Sequence, residues 1–256
     1  MIKPHYLLLL VSLLAVPVRA EMLTIAVASN FAKPMADIVA AFEKETEHTV
    51  RVAFGSSGKL AAQLLQGAPF QLFFSADEEK PALLLKRGIA AADSQFTYAL
   101  GRLALWSSDP TADPERLLRD GNFTKLALAN PKLAPYGVAA REVLVNLNLI
   151  ETSQARWVLG ENIAQTYQFV DSGNADIGFV AASQITGNGK PAKGASWSIP
   201  ESLHHPIKQD AVLIGQNPGR AAREFAVFVR SAAATEIIKR YSYQVGVTES
   251  GARPCC

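Results

Sequence analysis

Residues 50–66, VRVAFGSSGKLAAQLLQ, combine a strand with a helix that follows it at once. The apolar run VRVAF is typical of a buried strand, and the leucines at positions 60, 64 and 65 have helical spacing. Gly67 and Pro69 supply the usual signals for the end of a helix. A strand, a turn of glycine and serine, and a helix in this order form the building unit of an α/β protein.

The neighbouring segments repeat this order. Residues 23–28 and 72–75 are strand-like, and residues 77–86 are predicted to form a helix. Met35, Ile38, Val39 and Phe42 have the spacing of one helix face between the first two strands. Strands that alternate with helices predict βαβ units and a parallel sheet.

A second α/β half follows further along the chain. Its predicted strands are residues 102–107, 125–129, 176–180 and 211–214, and its predicted helices are residues 136–147, 162–171, 219–230 and 233–241. The two halves have no low-complexity linker between them, which predicts two lobes with chain crossings near residues 100–107 and 206–214. We expect lobe 1 to hold residues 21–100 and 210–254, and lobe 2 to hold residues 101–209.

The N-terminus predicts secretion. Residues 1–20 read MIKPHYLLLLVSLLAVPVRA, a basic start, an apolar run and a small-x-small end, which are the marks of a signal peptide. We expect cleavage after Ala20 and a periplasmic location. Cleavage removes Lys3 and Arg19, so that 23 of the 25 basic residues remain against 23 acidic ones.

This neutral charge gives no basic surface for nucleic acid or an anionic membrane. The chain has only two cysteines, Cys255 and Cys256, which are adjacent at its end. A disulfide scaffold needs cysteines that are paired and spaced, so the sequence predicts a tail with incidental thiols.

Two strand-to-helix turns carry small polar residues that suit an anion. Ser29 and Asn30 follow the first strand, and the GSSG turn follows the second. Helix N-termini carry unpaired N–H groups and partial positive charge, and small residues let an anion approach them. Each turn alone is also explained by helix capping, a common role of serine and asparagine. Two such turns at adjacent strand ends favour a shared binding site.

Five segments together identify a resemblance: AVASNF, FGSSGKLAAQ, GAPFQLFFSAD, ANPKLAPYG and ENIAQTYQFVDSGNADIGFV. Over nearly all of the mature chain, the sequence resembles the periplasmic molybdate-binding proteins of ABC importers. The resemblance implies an α/β, two-lobed periplasmic binding protein-like fold. In that fold each lobe is a sheet flanked by helices, and two crossing strands form the hinge. A tetrahedral molybdate or tungstate then lies between the lobes, held by hydroxyl and backbone N–H donors.

Carried over residue by residue, the resemblance implies five ligand-binding residues: Ser29, Asn30, Ser57, Tyr136 and Ile163. Ile163 opens a helix and is expected to offer its backbone N–H. Many family members place a ligand-contacting tyrosine just after the strand that reads GFV here, but this chain has Ala181 there. It resembles a subgroup with the tyrosine on the third loop, so we expect the phenol of Tyr136 to donate to the ligand.

The resemblance also implies the partners. These are the oxyanion and the membrane permease subunits of an ABC importer, with a monomeric binding protein, no cofactor and no direct bond from the protein to the metal. The sequence contains no G-x-x-x-x-G-K-[ST] phosphate loop, so transport energy is expected from a partner ATPase.

Two alternatives stay open at this point. The first alternative is a binding protein of the same class with another ligand, which is sulfate, phosphate or a small carboxylate. A site of donors alone disfavours hydrogen phosphate, which needs an acceptor for its proton, but it argues only weakly against sulfate. The second alternative is an enzyme on a similar two-lobed scaffold, such as porphobilinogen deaminase. That enzyme attaches its cofactor to a cysteine in the globular domain, whereas both cysteines of this chain lie in the tail. The chain also lacks G-x-S-x-G and HExxH, the marks of common hydrolases.

Overall fold

The computed structural model describes residues 20–187, 190–191 and 193–245. The predicted signal peptide, apart from Ala20, and the cysteine tail lie outside these residues. The strands in the described part are β1 (Met22–Ala28), β2 (Thr49–Gly55), β3 (Leu72–Phe74), β4 (Phe96–Gly101), β5 (Leu103–Ser107), β6 (Leu126–Ala129), β7 (Trp157–Gly160), β8 (Ile177–Ala181), β9 (Thr186–Gly187), β10 (Lys190–Pro191), β11 (Ala195–Ser198) and β12 (Ile207–Leu213).

Helices connect most of these strands. The helices are α1 (Ala32–Glu45), α2 (Ser57–Leu65), α3 (Glu79–Lys86), α4 (Pro114–Asp120), α5 (Pro135–Asn146), α6 (Ile150–Ser153), α7 (Ile163–Asp171), α8 (Ala182–Ile185), α9 (Arg220–Val229) and α10 (Ala232–Arg240). Short 3-10 turns lie at Ser29–Phe31, Gln154–Arg156 and Glu201–Leu203. Among the described residues, no helix is long and apolar enough to cross a membrane.

Two five-stranded sheets form the two lobes. The first has the order β2-β1-β3-β12-β4, with β1 parallel to both neighbours and β12 antiparallel to both of its own. The second has the order β11-β5-β8-β6-β7, with β6 parallel to β7 and β8. We call the first sheet and its helices lobe 1, and the second sheet and its helices lobe 2. The predicted two-lobed α/β fold is confirmed.

Each sheet has its own apolar core because its strands carry apolar side chains on the faces that helices cover. In lobe 1, Ile25 of the interior strand β1 and Phe42 of α1 are buried in one cluster. In lobe 2, Leu128 of β6 packs in a cluster with Val143 and Leu144 of α5. The two cores leave a cleft between the lobes, where the strand ends meet.

The chain passes between the sheets twice. It leaves lobe 1 at Gly101, the end of β4, and enters lobe 2 at Leu103, the start of β5. It returns between Ser198 of β11 and Ile207 of β12. The sequence predicted the last strand of lobe 1 at residues 211–214, but β12 begins four residues before that range. Its polar start includes Gln209, which is fully buried and has no apolar signal in the sequence.

Candidate functional site

A small cavity lies between the lobes, at the ends of parallel strands from both sheets. Its cavity volume is about 10 Å³. Pockets for drug-sized ligands measure roughly 300–1,000 Å³, so this cavity has no room for a drug-sized molecule and suits a small ion. The described residues that line it are Ala28, Ser29, Asn30, Gly55, Ser56, Ser57, Ala76, Ala134, Pro135, Tyr136, Asn162 and Ile163.

Five chain segments converge on the cavity, three from lobe 1 and two from lobe 2. In lobe 1, β1 runs into the turn Ser29–Phe31, β2 runs into α2, and Ala76 follows β3. In lobe 2, β6 leads to α5 and β7 leads to α7. Ligands of open α/β sheets bind at such strand ends. Helix N-termini therefore face the same small space from both sides.

All five residues that the resemblance implied lie around this cavity: Ser29, Asn30, Ser57, Tyr136 and Ile163. Each of them is buried, and none exposes more than 7% of its surface. The structure thus brings together residues from four separate segments of the sequence.

The two serines of the GSSG turn have different roles. Ser56 caps α2, since its hydroxyl accepts a hydrogen bond from the backbone N–H of Lys59. Ser57 Oγ accepts from the backbone N–H of Ala76 at 2.9 Å. An accepting hydroxyl keeps its own proton for another partner. The capping explanation therefore applies to Ser56 and leaves Ser57 as a donor at the cavity wall.

Lobe 2 offers backbone donors. The first N–H groups of a helix have no partner within it. Asn162 caps α7 by accepting from the N–H groups of Ala164 and Gln165, which leaves the N–H of Ile163. Within the described residues, neither the N–H of Ile163 nor that of Tyr136, in the first turn of α5, has a protein acceptor.

Hydrogen bonds join the two lobes across the cleft. The hydroxyl of Ser29 donates to Asn162 Oδ1 at 3.2 Å. The backbone N–H of Gly58 donates to the carbonyl of Leu133 at 2.9 Å. The lobes are therefore closed on the cavity in this structure. Sequence reasoning missed Asn162, although its place just before α7, in ENIAQ, marks a helix cap.

A salt bridge lies outside these buried bonds. Lys59 Nζ is 3.0 Å from Glu161 Oε1, and the two side chains expose 52% and 43% of their surface. Exposed ion pairs contribute little to stability. Lys59 lies on lobe 1 and Glu161 on lobe 2, so this pair also spans the two lobes.

The phenol of Tyr136 lies against a buried side chain of lobe 1. Its oxygen accepts from Gln209 Nε2 at 3.1 Å. Burial, with the nearby Tyr243, raises the pKa of the Tyr136 phenol well above its ordinary value. The phenol is thus neutral and hydrogen-bonded to Gln209, and the backbone N–H of Tyr136 is a second donor of this residue beside the cavity.

Asn30 belongs to the same buried network. Its side-chain nitrogen donates to Gln209 Oε1 at 2.8 Å and to the hydroxyl of Tyr243 at 2.9 Å. An amide nitrogen carries two hydrogens, so both are used. The side chain of Asn30 therefore holds the turn that carries Ser29.

The cavity wall is uncharged. The twelve described lining residues include no acidic or basic side chain. The described part of the chain also has no group of three or more histidine, cysteine or acidic residues that could hold a metal ion. The wall offers hydroxyl and N–H donors from four of its segments, an arrangement that suits a small, fully ionised anion.

Known proteins share this sequence and fold. Residues 23–244 match the family of bacterial extracellular solute-binding proteins. The chain is 44% identical to the molybdate-binding protein ModA of Azotobacter vinelandii, over 90% of this chain and 93% of that one. It is also 44% identical to ModA of Rhodobacter capsulatus, over 92% and 93%. The solved Azotobacter vinelandii periplasmic molybdate-binding protein matches with a TM-score of 0.84 and 36% identity, covering 88% of this chain and 99% of that one.

Proposed function

The chain belongs to the bacterial extracellular solute-binding proteins, and from that premise we propose that it captures molybdate or tungstate between its lobes for an ABC importer. The observation that carries the proposal is the uncharged, donor-lined cavity between the two lobes. The 44% identity to two molybdate-binding proteins supports the choice of anion. These relatives are binding proteins and not enzymes, so the enzyme alternative is set aside.

The proposed contacts follow from the donors at the wall. Ser57 gives a hydroxyl bond from lobe 1, and Ser29 gives another when its hydroxyl turns from Asn162 Oδ1 to the anion. The N–H groups of Tyr136 and Ile163 give bonds from lobe 2. Asn30 completes the lobe 1 wall. A dianion such as molybdate only accepts hydrogen bonds, so every donor finds an acceptor. Each bond to a charged group contributes roughly 1.5–3 kcal/mol, and several together offset the cost of removing the anion from water.

We expect molybdate and tungstate to bind far more tightly than sulfate or phosphate. Hydrogen phosphate brings a proton into a wall of donors, and sulfate is a smaller anion for the same set of donors. Parallel isothermal titrations of the mature protein with the four anions test this ranking. Sulfate that competes with molybdate at equal concentration would show that the ligand assignment is wrong and favour a general oxyanion-binding protein.

Closure follows from the position of the donors. A ligand that contacts both lobes gains its full set of bonds only in the closed form, so binding shifts the population toward closure. The two chain crossings, near Gly101 and before Ile207, are the proposed hinge. The closed form is then the state that the importer's membrane subunits recognise.

Small-angle scattering tests closure directly. We expect molybdate to reduce the radius of gyration of the wild-type protein, and Ser57→Ala to need a higher molybdate concentration for the same change. Ser108→Ala, an exposed serine of lobe 2, is the matched control and should behave like the wild type. An unchanged radius at saturating molybdate would contradict ligand-driven closure.

The setting is also part of the proposal. We infer that the protein works in the periplasm as a monomer, after cleavage following Ala20. A periplasmic relative supports the location.

A further inference from the structure

Gln209 joins the two lobes inside the protein. It lies on β12 of lobe 1, is fully buried, and interrupts the regular pairing of that strand with β4. Its side-chain oxygen accepts from Asn30 Nδ2 at 2.8 Å and from the hydroxyl of Tyr98 at 3.0 Å. Its side-chain nitrogen donates to the phenol oxygen of Tyr136 in lobe 2.

The neighbours of Gln209 define which way its amide faces. Asn30 Nδ2 donates to the oxygen, and the Tyr98 hydroxyl shares its proton between this oxygen and the carbonyl of Ser75. The nitrogen is left for Tyr136. Burial raises the pKa of the phenols of Tyr98, Tyr136 and Tyr243 above their ordinary values, so all three are neutral partners. No buried side-chain nitrogen or oxygen in the described residues lacks a hydrogen-bond partner. A satisfied buried network of this kind holds one arrangement, because each broken bond leaves a costly unpaired group.

Gly101 places the contact between Gln209 and Tyr136 beside the first chain crossing. A Cβ atom at residue 101 would overlap the phenol oxygen of Tyr136 and lie 2.5 Å from Gln209 Nε2. Gly101 is also the last residue of β4 before the chain crosses into lobe 2. Glycine leaves the space in which Gln209 and Tyr136 meet, beside the crossing point.

We propose that Gln209 is a positioning residue that links the lobe 1 and lobe 2 walls of the anion site. It holds Asn30 on one side and the start of α5, through Tyr136, on the other. The phenol thus acts through Gln209, and the backbone N–H of Tyr136 is aimed at the cavity only while this bond is made. This inference rests on the proposed function, since the site that Gln209 organises is the oxyanion site.

A double-mutant cycle separates this role from direct contact with the ligand. The variants are Tyr136→Phe, Gln209→Met and the pair together, each titrated with molybdate and followed by stopped-flow kinetics. We expect each single variant to weaken binding by about 5-fold to 20-fold, the range of one lost hydrogen bond. The double variant should be no weaker than the weaker single variant, because both changes remove the same link.

The kinetic readout distinguishes positioning from general destabilisation. A link between closed lobes should raise the dissociation rate of molybdate and leave the association rate nearly unchanged. Thermal unfolding of each variant shows whether the protein is folded. Gln63→Met, an exposed glutamine of lobe 1, is the matched control and should match the wild type in both rates.

The outcomes are separable. Wild-type protein that binds none of the oxyanions would overturn the proposed function. Wild-type binding with independent, multiplying effects of the two changes would overturn only the role of Gln209 and return the phenol of Tyr136 to the ligand. If folded Gln209→Met keeps the wild-type affinity, the link has no part in binding and the inference is wrong.

Discussion

Replacing Gly58 by valine is expected to lower molybdate affinity more than about 100-fold. Gly58 lies in the first turn of α2, where its N–H bonds the carbonyl of Leu133 across the cleft. A Cβ atom at residue 58 would lie 2.9 Å from that carbonyl oxygen and 3.2 Å from Leu133 Cα. These are backbone atoms, which cannot rotate away, so the lobes must stay apart. Loss of the two lobe 2 N–H bonds at roughly 1.5–3 kcal/mol each removes about 3–6 kcal/mol.

The comparison with Ala62→Val isolates closure from the helix itself. Ala62 is an exposed residue of the same helix, so valine there has a similar helix cost without the collision. Titration gives the affinity, and scattering gives the radius of the ligand-bound form. Gly58→Ala should fall between valine and the wild type. Tight binding with normal closure in folded Gly58→Val would show that the cleft tolerates a side chain at this contact.

Replacing Gly137 by alanine is expected to destabilise lobe 2 and weaken binding together. A Cβ atom at residue 137 would overlap the carbonyl oxygen of Ala129 and lie 2.8 Å from its carbonyl carbon. Helix α5 must then move away from β6. Forcing atoms into a packed region costs typically about 1–3 kcal/mol, and each kcal/mol lowers the melting temperature by roughly 2–4 °C in a chain of this size. The N–H of Tyr136, one residue earlier, moves with the helix.

Val138→Ala is the matched control for this change. Val138 is the next residue of α5, and it is exposed, so its truncation leaves the contact between α5 and β6 intact. Calorimetry and titration of the two variants should differ clearly. A Gly137→Ala protein with both the melting temperature and the affinity of the wild type would mean that α5 and β6 have room to separate.

The strands and helices that the sequence predicted correctly have long, regular apolar spacing. β1, β2 and α1 are examples, since their apolar faces pack in the core of lobe 1. Strands with a weak or polar pattern were missed in whole or in part. β7 has four residues with mixed burial, and the first half of β12 contains Gln209 and Asp210, which are buried and hydrogen-bonded. Apolar periodicity cannot indicate a strand whose inward side chains are polar.

The sequence predicts the position of those candidate residues that depend only on neighbouring strands and helices. Ser29 and Ser57 follow strand ends, and their place at a shared edge depends only on the parallel sheet. The orientation of Tyr136 could not be predicted, because its partner Gln209 is 73 residues away in sequence. The bond between Ser29 and Asn162 could not be predicted for the same reason, since the two residues are 133 positions apart in sequence. Such pairs exist only once both lobes have formed.

The bond from the main chain of Gly58 to the main chain of Leu133 bears on the environments in which the protein works. A peptide group carries no net charge and does not titrate, so neither ionic strength nor acidity changes its donor or acceptor. Salt screens interactions between exposed charges over about 10 Å at 0.1 M, and the pair of Lys59 and Glu161 weakens accordingly. This contact between peptide groups is therefore insensitive to salt and acidity, whereas the exposed pair of Lys59 and Glu161 weakens as salt is added.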